Sequence, residues 1–592
     1  MDYGGGSLMC SIFGYNQIDN SLLNSFFKSM HHRGPDDDGY VIAGKWTLAQ
    51  QRLAIIDLSA KANQPMEKGD DIICLNGEIY NYVELKQKYL RNVKLATSSD
   101  TEILLELLSR KGIKILNELN GMFAVAWYNQ KTGKLYLIRD RYGVKPLYYL
   151  QLGTKFYFAS ETKPLVQLLS KIELNPKIVN SYLKDVATDY CEDSYILGIK
   201  QLKPGSYLCI KNSKITSKAK WYHYNDYHFD RVIFKNKQDS LNYFEDLLTD
   251  AIRIRYRADV PICITLSSGL DSTTIYTLAK ERITPSVKTI TYINQDSNIN
   301  EYPIAKRLTE DYDDRLITIR NKSKYTANDL LVNLAHLEFP IWNPSGLAYE
   351  AIYKAISRKG FRVVIEGHGS DEQLGGYPYM LEAIWKEFAQ NGKFLSSHLA
   401  YQVYQNTLNN NIGENKIRIP FLLLYLKTYV EGKLSTKINA SQVIRRSFEY
   451  KILPIVLRTF DRLPMSQSLE SRAPFMDYRV VEFLRQMPLI YKMDKLGSKA
   501  PLRHILKKYN KDYIYKNTKK TGFAIDILKI SRQIPIKDLV LQALRSTSLT
   551  DYRKEIEVAI NAFSNPNSNW GELSEAWKIG SVALMQQYYD QK

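Results

Sequence analysis

The sequence predicts two fold classes on one chain: an α+β first part of layered antiparallel sheets with helices, and an α/β second part with a parallel sheet and a helical C-terminal stretch. Two patterns predict this. Over roughly the first two hundred residues, short apolar runs such as "GYVIAG", "DIICLNGEIYN" and "KLYLIRDRYG" are broken by turn residues, the spacing of short antiparallel strands. Past residue 237, strand-like runs alternate with helical patterns, and that alternation makes a parallel sheet. The length of 592 residues agrees, because one hydrophobic core stops growing near about 250–300 residues and roughly two to four domains are expected.

Taken in order, "GYVIAG", "WTLAQQRLAIIDL" and "DIICLNGEIYN" read as strands, and "TEILLELLSR" (101–110) as a helix, its apolar positions at helical spacing. "NQKTGK" between "GMFAVAWYN" and "KLYLIRDRYG" reads as a hairpin turn, and "KFYFASE" as a further strand. Residues 221–237, "WYHYNDYHFDRVIFKNK", have no period and read as the connection between 10–220 and 238–592. A helix over 240–257 then leads to the strand "VPICITL", a loop, the helix "STTIYTLAKER", the strand "VKTITYI", a helix from about 303 and the strand "FRVVIEG". From about 379 the pattern is helical.

Hydrophobic residues make up 44% and charged residues 24%, the composition of a folded globular chain. There is no apolar run of about 18 residues, so no membrane span is expected. The net charge of +19 could serve a polyanion or phosphorylated ligands. The lysines are scattered, so nucleic acid is not expected as a partner. Five cysteines, Cys10, Cys74, Cys191, Cys209 and Cys263, are odd in number and widely spaced, without zinc-ligand spacing. They fit a reducing cytoplasm. Cys74 and Cys263 read as small buried strand residues.

The chain opens "MDYGGGSLMCSIFG". Residues 1–9 carry a flexible Gly-rich stretch and read as a leader. If it is cut away, or if synthesis starts at Met9, Cys10 becomes terminal, a thiol beside a free amine that can serve as its base. Further on, "LSSGLDS" (266–272) sits between a strand and a helix, where small residues let the backbone approach a ligand and the helix N-terminus suits a phosphate. It lacks the Gly-Lys-Ser/Thr of a P-loop and resembles the pyrophosphate loop of ATP pyrophosphatases. "IEGHGSDEQLGGY" (365–377) follows another strand. Two strand-end loops of one α/β sheet meet at one crevice, so Asp271 and Asp371 could share a Mg²⁺ on the pyrophosphate.

From Met9 onward the chain carries, in order, "MCSIFG", "HHRGPDDDG", "RLAIIDLS", "NGEIYN", "SSDTEIL", "GMFAVAWY", "RDRYGVKPLYY", "FASETK", "LSSGLDS", "GHGSDEQLGGY", "LESRAPFMD" and "KKTGF". Together these resemble the glutamine-hydrolysing asparagine synthetases. The resemblance implies an N-terminal-nucleophile glutaminase over 10–220 and an ATP-pyrophosphatase-type synthetase over 238–592. It implies that Cys10 attacks glutamine and that Asn76 and the Gly77 N–H hold the oxyanion. Arg52 would take the substrate carboxylate, while Glu78 and Asp100 take its ammonium. Ammonia would then pass inside the protein to the second site. There Leu266, Ser267, Gly269, Asp271, Ser272, Ile293, Glu366, Gly367 and Lys520 would bind ATP, with Asp477 near the acceptor. Asp271 and Asp371 would hold Mg²⁺. The substrates are small molecules, and the family's frequent dimers make a homodimer an expectation. Taken singly, Arg52 could be an ion-pair partner, Asp100 a helix N-cap and Asn76-Gly77 a hairpin turn.

One loop departs from the family pattern Ser-Gly-Glu-Gly-Ser/Ala-Asp-Glu. Glu366 stands at its serine and His368 at its glutamate. An imidazole can move protons near neutral pH, but a negative charge beside the acyl-adenylate would be lost. Two activities therefore remain open: asparagine from aspartate, ATP and glutamine, or amidation of another carboxylate, such as a surface sugar acid or a natural-product precursor. A non-catalytic nucleic-acid binder would need a damaged nucleotide loop, and the loop is intact.

Overall fold

The computed structural model describes residues 10–591 except 18, 35, 190, 226–235, 294–300, 321–323, 342, 412–419, 435–436 and 518–526. Two six-stranded antiparallel sheets come first. One is centred on Ser11–Tyr15, which lies between Trp46–Arg52 and Lys155–Ala159; the other on Gly121–Asn129, which lies between Asp71–Ile79 and Lys134–Arg139. The hairpin at "NQKTGK" forms as expected, with Asn129 opposite Lys134. Ile72, Cys74, Ala124, Leu135 and Phe158 fill the space between the sheets. Ile73 and Leu75 point the other way, onto the helix Asp100–Lys111. With both faces covered, "DIICL" is apolar without alternation.

The second part holds a five-stranded parallel sheet, ordered Leu316–Arg320, Thr289–Ile293, Ile262–Thr265, Val363–Ile365, Glu470–Arg472. The expected helices form at Lys237–Arg255, Leu270–Arg282 and Tyr302–Glu310. The two edge strands escaped the sequence reading. "ESR" is three polar residues long, and its side chains serve ion pairs rather than a pleat. Helices make up most of the remainder. The connection expected at 221–237 lies largely outside the described residues. Among the described residues no helix is long and apolar enough to cross a membrane.

One helix, Ile452–Met465, joins the two parts. Its buried Asp461 receives both terminal nitrogens of Arg33 at 3.2 Å and Lys145 Nζ at 3.3 Å. The neighbouring Arg462 pairs with Glu161 at 3.0 Å and Glu338 at 2.6 Å. Glu338 in turn accepts the backbone N–H groups of Thr162 and Lys163 at 2.9 and 2.6 Å. Buried charges are tolerated only when paired and hydrogen-bonded, so this network fixes how the parts meet.

Candidate active sites

Cys10 precedes the strand Ser11–Tyr15. The pairing of Ser11 with Gln51 and Ile12 with Gln50 brings it level with Arg52. Its Sγ lies 3.1 Å from the Leu53 N–H, which donates to it, and 3.4 Å from the Leu53 carbonyl. Burial, with the Glu470 and Glu78 carboxylates nearby, pushes the thiol up to about 12 against the Leu53 N–H. The thiol thus stays protonated at neutral pH and needs a base at the moment of attack. Cys10 packs against an apolar cluster that includes Val363 of the parallel sheet and Met465 of the joining helix.

Asn76 and Gly77 lie within the strand Asp71–Ile79, opposite Ala124 and Phe123, and not in a hairpin turn. Asn76 Nδ2 gives one hydrogen to Ser160 Oγ at 3.2 Å and keeps a second. Ser160 also accepts the Ile12 N–H at 3.0 Å, so the amide is tied to the strand that carries the cysteine. Gly77 has φ +125°, and a Cβ there would be driven into the Met122 carbonyl. Gly77→Ala is therefore expected to cost roughly 1–3 kcal/mol of stability, which thermal unfolding measures.

Arg52 donates to the carbonyls of Ser59 (3.1 Å), Ile56 (3.4 Å) and Asp57, and to Asn63 Oδ1 at 2.5 Å. Among the described residues it has no carboxylate partner, so it is not the surface ion pair its sequence context allowed. The alternative for Asp100 also fails. Ser99 is the N-cap, its side chain accepting the Glu102 N–H, while Asp100 Oδ2 accepts the Ile79 N–H at 2.8 Å. Burial first, and then Glu470, push Asp100 up to about 6. Burial, Asp100 and Glu470 raise Glu78 well above the usual carboxylate range, with Arg472 opposing at 3.7 Å. Burial and mutual repulsion thus favour the neutral form of both carboxyls, and a further cation beside them would draw both down.

In the second part, Leu266 and Ile293 close the strands Ile262–Thr265 and Thr289–Ile293, Leu266 donating to the Ile290 carbonyl at 2.8 Å. Ser267 Oγ lies 2.8 Å from Ser272 Oγ and accepts the Gly269 N–H at 3.0 Å, which closes the loop at the N-terminus of Leu270–Arg282. Ser268 Oγ bonds to the buried Glu301 at 3.0 Å. Gly367 lets the second loop touch the first, since a Cβ there would lie 2.6 Å from Asp271 Cβ. Asp271 and Asp371 do converge, and Lys499 Nζ stands between them at 2.7 and 2.9 Å. Burial opposes the ammonium, but the two carboxylates outweigh it and hold Lys499 above the ordinary lysine range. A cation held by two carboxylates is the donor set Mg²⁺ takes alongside phosphate oxygens. Among the described residues no three His, Cys, Asp or Glu side chains form a metal cluster.

Three expected residues stand differently, one of them Glu366, whose buried carboxylate is taken by Thr265, Ser471 and Tyr353. Lys520 lies outside the described residues. Asp477 caps the helix Tyr478–Gln486, is fully buried, and is occupied by Asn120 Nδ2 (2.9 Å), Arg255 (3.0 Å) and Arg479 (3.0 Å). These charges hold its carboxyl below the usual range despite burial. It ties the two parts together and offers no open oxygen to a substrate. Sequence reasoning missed Lys499, Ser160 and Arg33, whose Nε donates to the Cys10 carbonyl at 3.3 Å. "FASETK" and "HHRGP" marked the regions of the last two; nothing in "LGSKAP" marked the lysine.

A small cavity of about 30 Å³ lies on the seam, lined by Tyr80, Met122 and Val144 from one side and Arg255, His368 and Phe460 from the other. Met122 abuts Gly77, and His368 stands at the loop that holds Asp371. The cavity thus lies between the two sites.

Residues 9–222 match the glutamine amidotransferase domain family and residues 243–570 the asparagine synthase family. Glutamine-hydrolyzing asparagine synthetase 1 of Bacillus subtilis (strain 168) is 28% identical over 550 residues, 86% of this chain and 84% of that protein. A putative glutamine-hydrolyzing asparagine synthetase 2 of Methanocaldococcus jannaschii is 32% identical over 425 residues, 65% and 79% of the two chains. The amidase chry2 of Gibberella zeae is 25% identical over 566 residues, 83% of each. With the asparagine synthase match at 243–570 spanning more than half of its length, behind an amidotransferase domain, the chain belongs to the asparagine synthase family.

Proposed function

We propose that the chain is a glutamine-hydrolysing amide ligase that makes asparagine from aspartate, ATP and glutamine. The observation that carries this is the placement of two sites, a thiol with oxyanion donors and a crevice with convergent acids, on either side of one seam cavity. Cys10 Sγ bonds to the glutamine amide carbon while its own α-amine takes the thiol proton. Asn76 Nδ2 and the Gly77 N–H meet the oxyanion. The C–N bond breaks, ammonia leaves, and water hydrolyses the thioester. Arg52 takes the substrate carboxylate, and Glu78 with Asp100 takes its ammonium. Across the seam, Ser267, Gly269 and Ser272 cradle the pyrophosphate of ATP. Mg²⁺ would neutralise that charge, with Asp271 and Asp371 to hold it. The aspartate carboxylate attacks the α-phosphorus, pyrophosphate leaves, and ammonia displaces AMP from the acyl-adenylate, with His368 taking a proton.

A second reading, amidation of a different carboxylate, is favoured by His368 itself, an imidazole where a carboxylate was expected. Protein lacking residues 1–9, mixed with ATP, Mg²⁺, glutamine and a panel of carboxylates, separates the two by pyrophosphate release. Under the first, aspartate triggers release and asparagine forms. Silence with aspartate but turnover with another acid leaves only the second. In that case His368→Glu is expected to raise aspartate-dependent turnover; no change, or a loss, counts against a specificity role for the histidine.

A further inference from the structure

We infer that Glu366 is a positioning residue for amide formation: it holds the His368 ring so that Nε2 faces the carboxylate and Nδ1 faces the acyl group. The inference rests on the amide-ligase reading above and adds a residue to it. The sequence placed Glu366 among the ATP ligands, but its side chain points elsewhere. It is buried at the end of the strand Val363–Ile365. Its Oε1 accepts Thr265 Oγ1 at 3.3 Å, and its Oε2 accepts Ser471 Oγ at 2.6 Å. Those two residues come from the strands on either side of it. Tyr353 OH, from the helix Ser345–Ser357, donates to both oxygens at 3.2 and 3.0 Å. His368 Nε2 stands 3.3 Å from Oε2.

A carboxylate set this deep in a parallel sheet is costly unless fully paired. Here three hydroxyls and one imidazole surround it, so its position is fixed by two strands and a helix. Burial works to raise its pKa, but His368 and the hydroxyl donors outweigh it and keep the group ionised. The His368 ring also lies on Phe460, with centroids 3.5 Å apart and planes 27° apart. The stack sets the plane of the ring and the carboxylate sets its edge. An ionised carboxylate can only accept, so the nitrogen facing it carries the hydrogen. Nδ1 then keeps its lone pair. Nε2 is buried without a formed hydrogen bond, held to Glu366 by the 3.3 Å contact alone, while the ring lines the seam cavity, which leaves Nδ1 for the substrate. As ammonia's lone pair forms the new C–N bond, one of its protons passes to Nδ1. The C–O bond to AMP breaks, and AMP leaves with the electron pair.

The ring tautomer can be read without any substrate. In full-length protein with ¹⁵N-labelled histidine, the His368 resonances are assigned by their loss in His368→Gln. Above neutral pH the wild-type ring is expected to show Nε2–H with Nδ1 unprotonated, and Glu366→Gln is expected to show a mixture. A wild-type ring protonated at Nδ1, or an unchanged tautomer in Glu366→Gln, overturns the inference. With whichever acid releases pyrophosphate in protein lacking residues 1–9, Glu366→Gln should lower amide kcat by about 10²-fold, leave the KM for ATP unchanged, and be partly rescued by Glu366→Asp. Equal loss in Glu366→Asp and Glu366→Gln, or a loss carried by the KM for ATP, counts against it. If no acid on the panel releases pyrophosphate, the functional reading fails while the tautomer measurement still decides this one.

Discussion

Cys10→Ser is expected to lower glutamine-dependent amide formation by on the order of 10⁴-fold or more, the scale seen when a nucleophile acting with its base is removed. Turnover supplied with ammonium chloride should survive. The reason lies in the thiol's surroundings. With its pKa pushed up to about 12, almost no thiolate exists at pH 7. An α-amine titrating near about 7.7–8.0 can take the proton as sulfur attacks; an amide nitrogen cannot. Protein that keeps residues 1–9 should therefore behave like Cys10→Ser toward glutamine and like the trimmed protein toward ammonium. Glutamate release and amide formation, measured side by side in the three proteins, check this. Full glutamine turnover with the leader attached contradicts the assigned base. The serine oxygen can keep the Leu53 contacts, so the fold should be unaffected.

The second large effect is expected at Asp461. Removing this carboxylate leaves buried Arg33 with Glu161 alone, at 2.6 Å, and buried Lys145 with Glu470 alone, at 3.9 Å, and breaking one side of a buried pair costs up to roughly 3–5 kcal/mol. Asp461→Ala should thus lower the unfolding temperature. It should also weaken glutamine hydrolysis, because Arg33 loses one of the two carboxylates that aim its Nε at the Cys10 carbonyl. Much of the cost is the penalty of an unpaired charge and not the net worth of the bond. Arg33→Met combined with Asp461→Leu should therefore recover part of the stability lost in Asp461→Ala. A double-variant cycle gives the coupling, and simple additivity would show that the two residues do not act together.

The parts of the molecule legible in the sequence are those written locally. "VPICITL" followed by "SSGLDS" announces a strand, a tight loop and a helix start because each is encoded by neighbours along the chain. The order of the antiparallel and parallel parts follows for the same reason. What stayed hidden depends on residues far apart in sequence. Asn76-Gly77 has a turn's composition, yet it runs straight through a strand because Ala124 and Phe123 pair with it. Asp100 looks like a cap, yet Ser99 takes that place and frees its carboxyl. Lys499 meets Asp271 and Asp371 only after more than a hundred residues of intervening fold. "LESRAP" conceals an edge strand because its side chains are spent on Glu78, Glu366 and the backbone of residues 255–257.

The helix Ile452–Met465 reaches toward both centres, with Phe460 on the imidazole, Asp461 on the arginine that holds the Cys10 carbonyl, and Met465 in the apolar cluster against which Cys10 packs. Such a strut permits no slippage. A displacement by one helical turn would leave cations and anions without mates on either flank, so intermediate positions are excluded along with wrong ones. The distance between the two centres is then fixed. A hybrid enzyme given a foreign front end would have to inherit this strut, together with the charges that grip it, for the new front end to meet the old crevice in register.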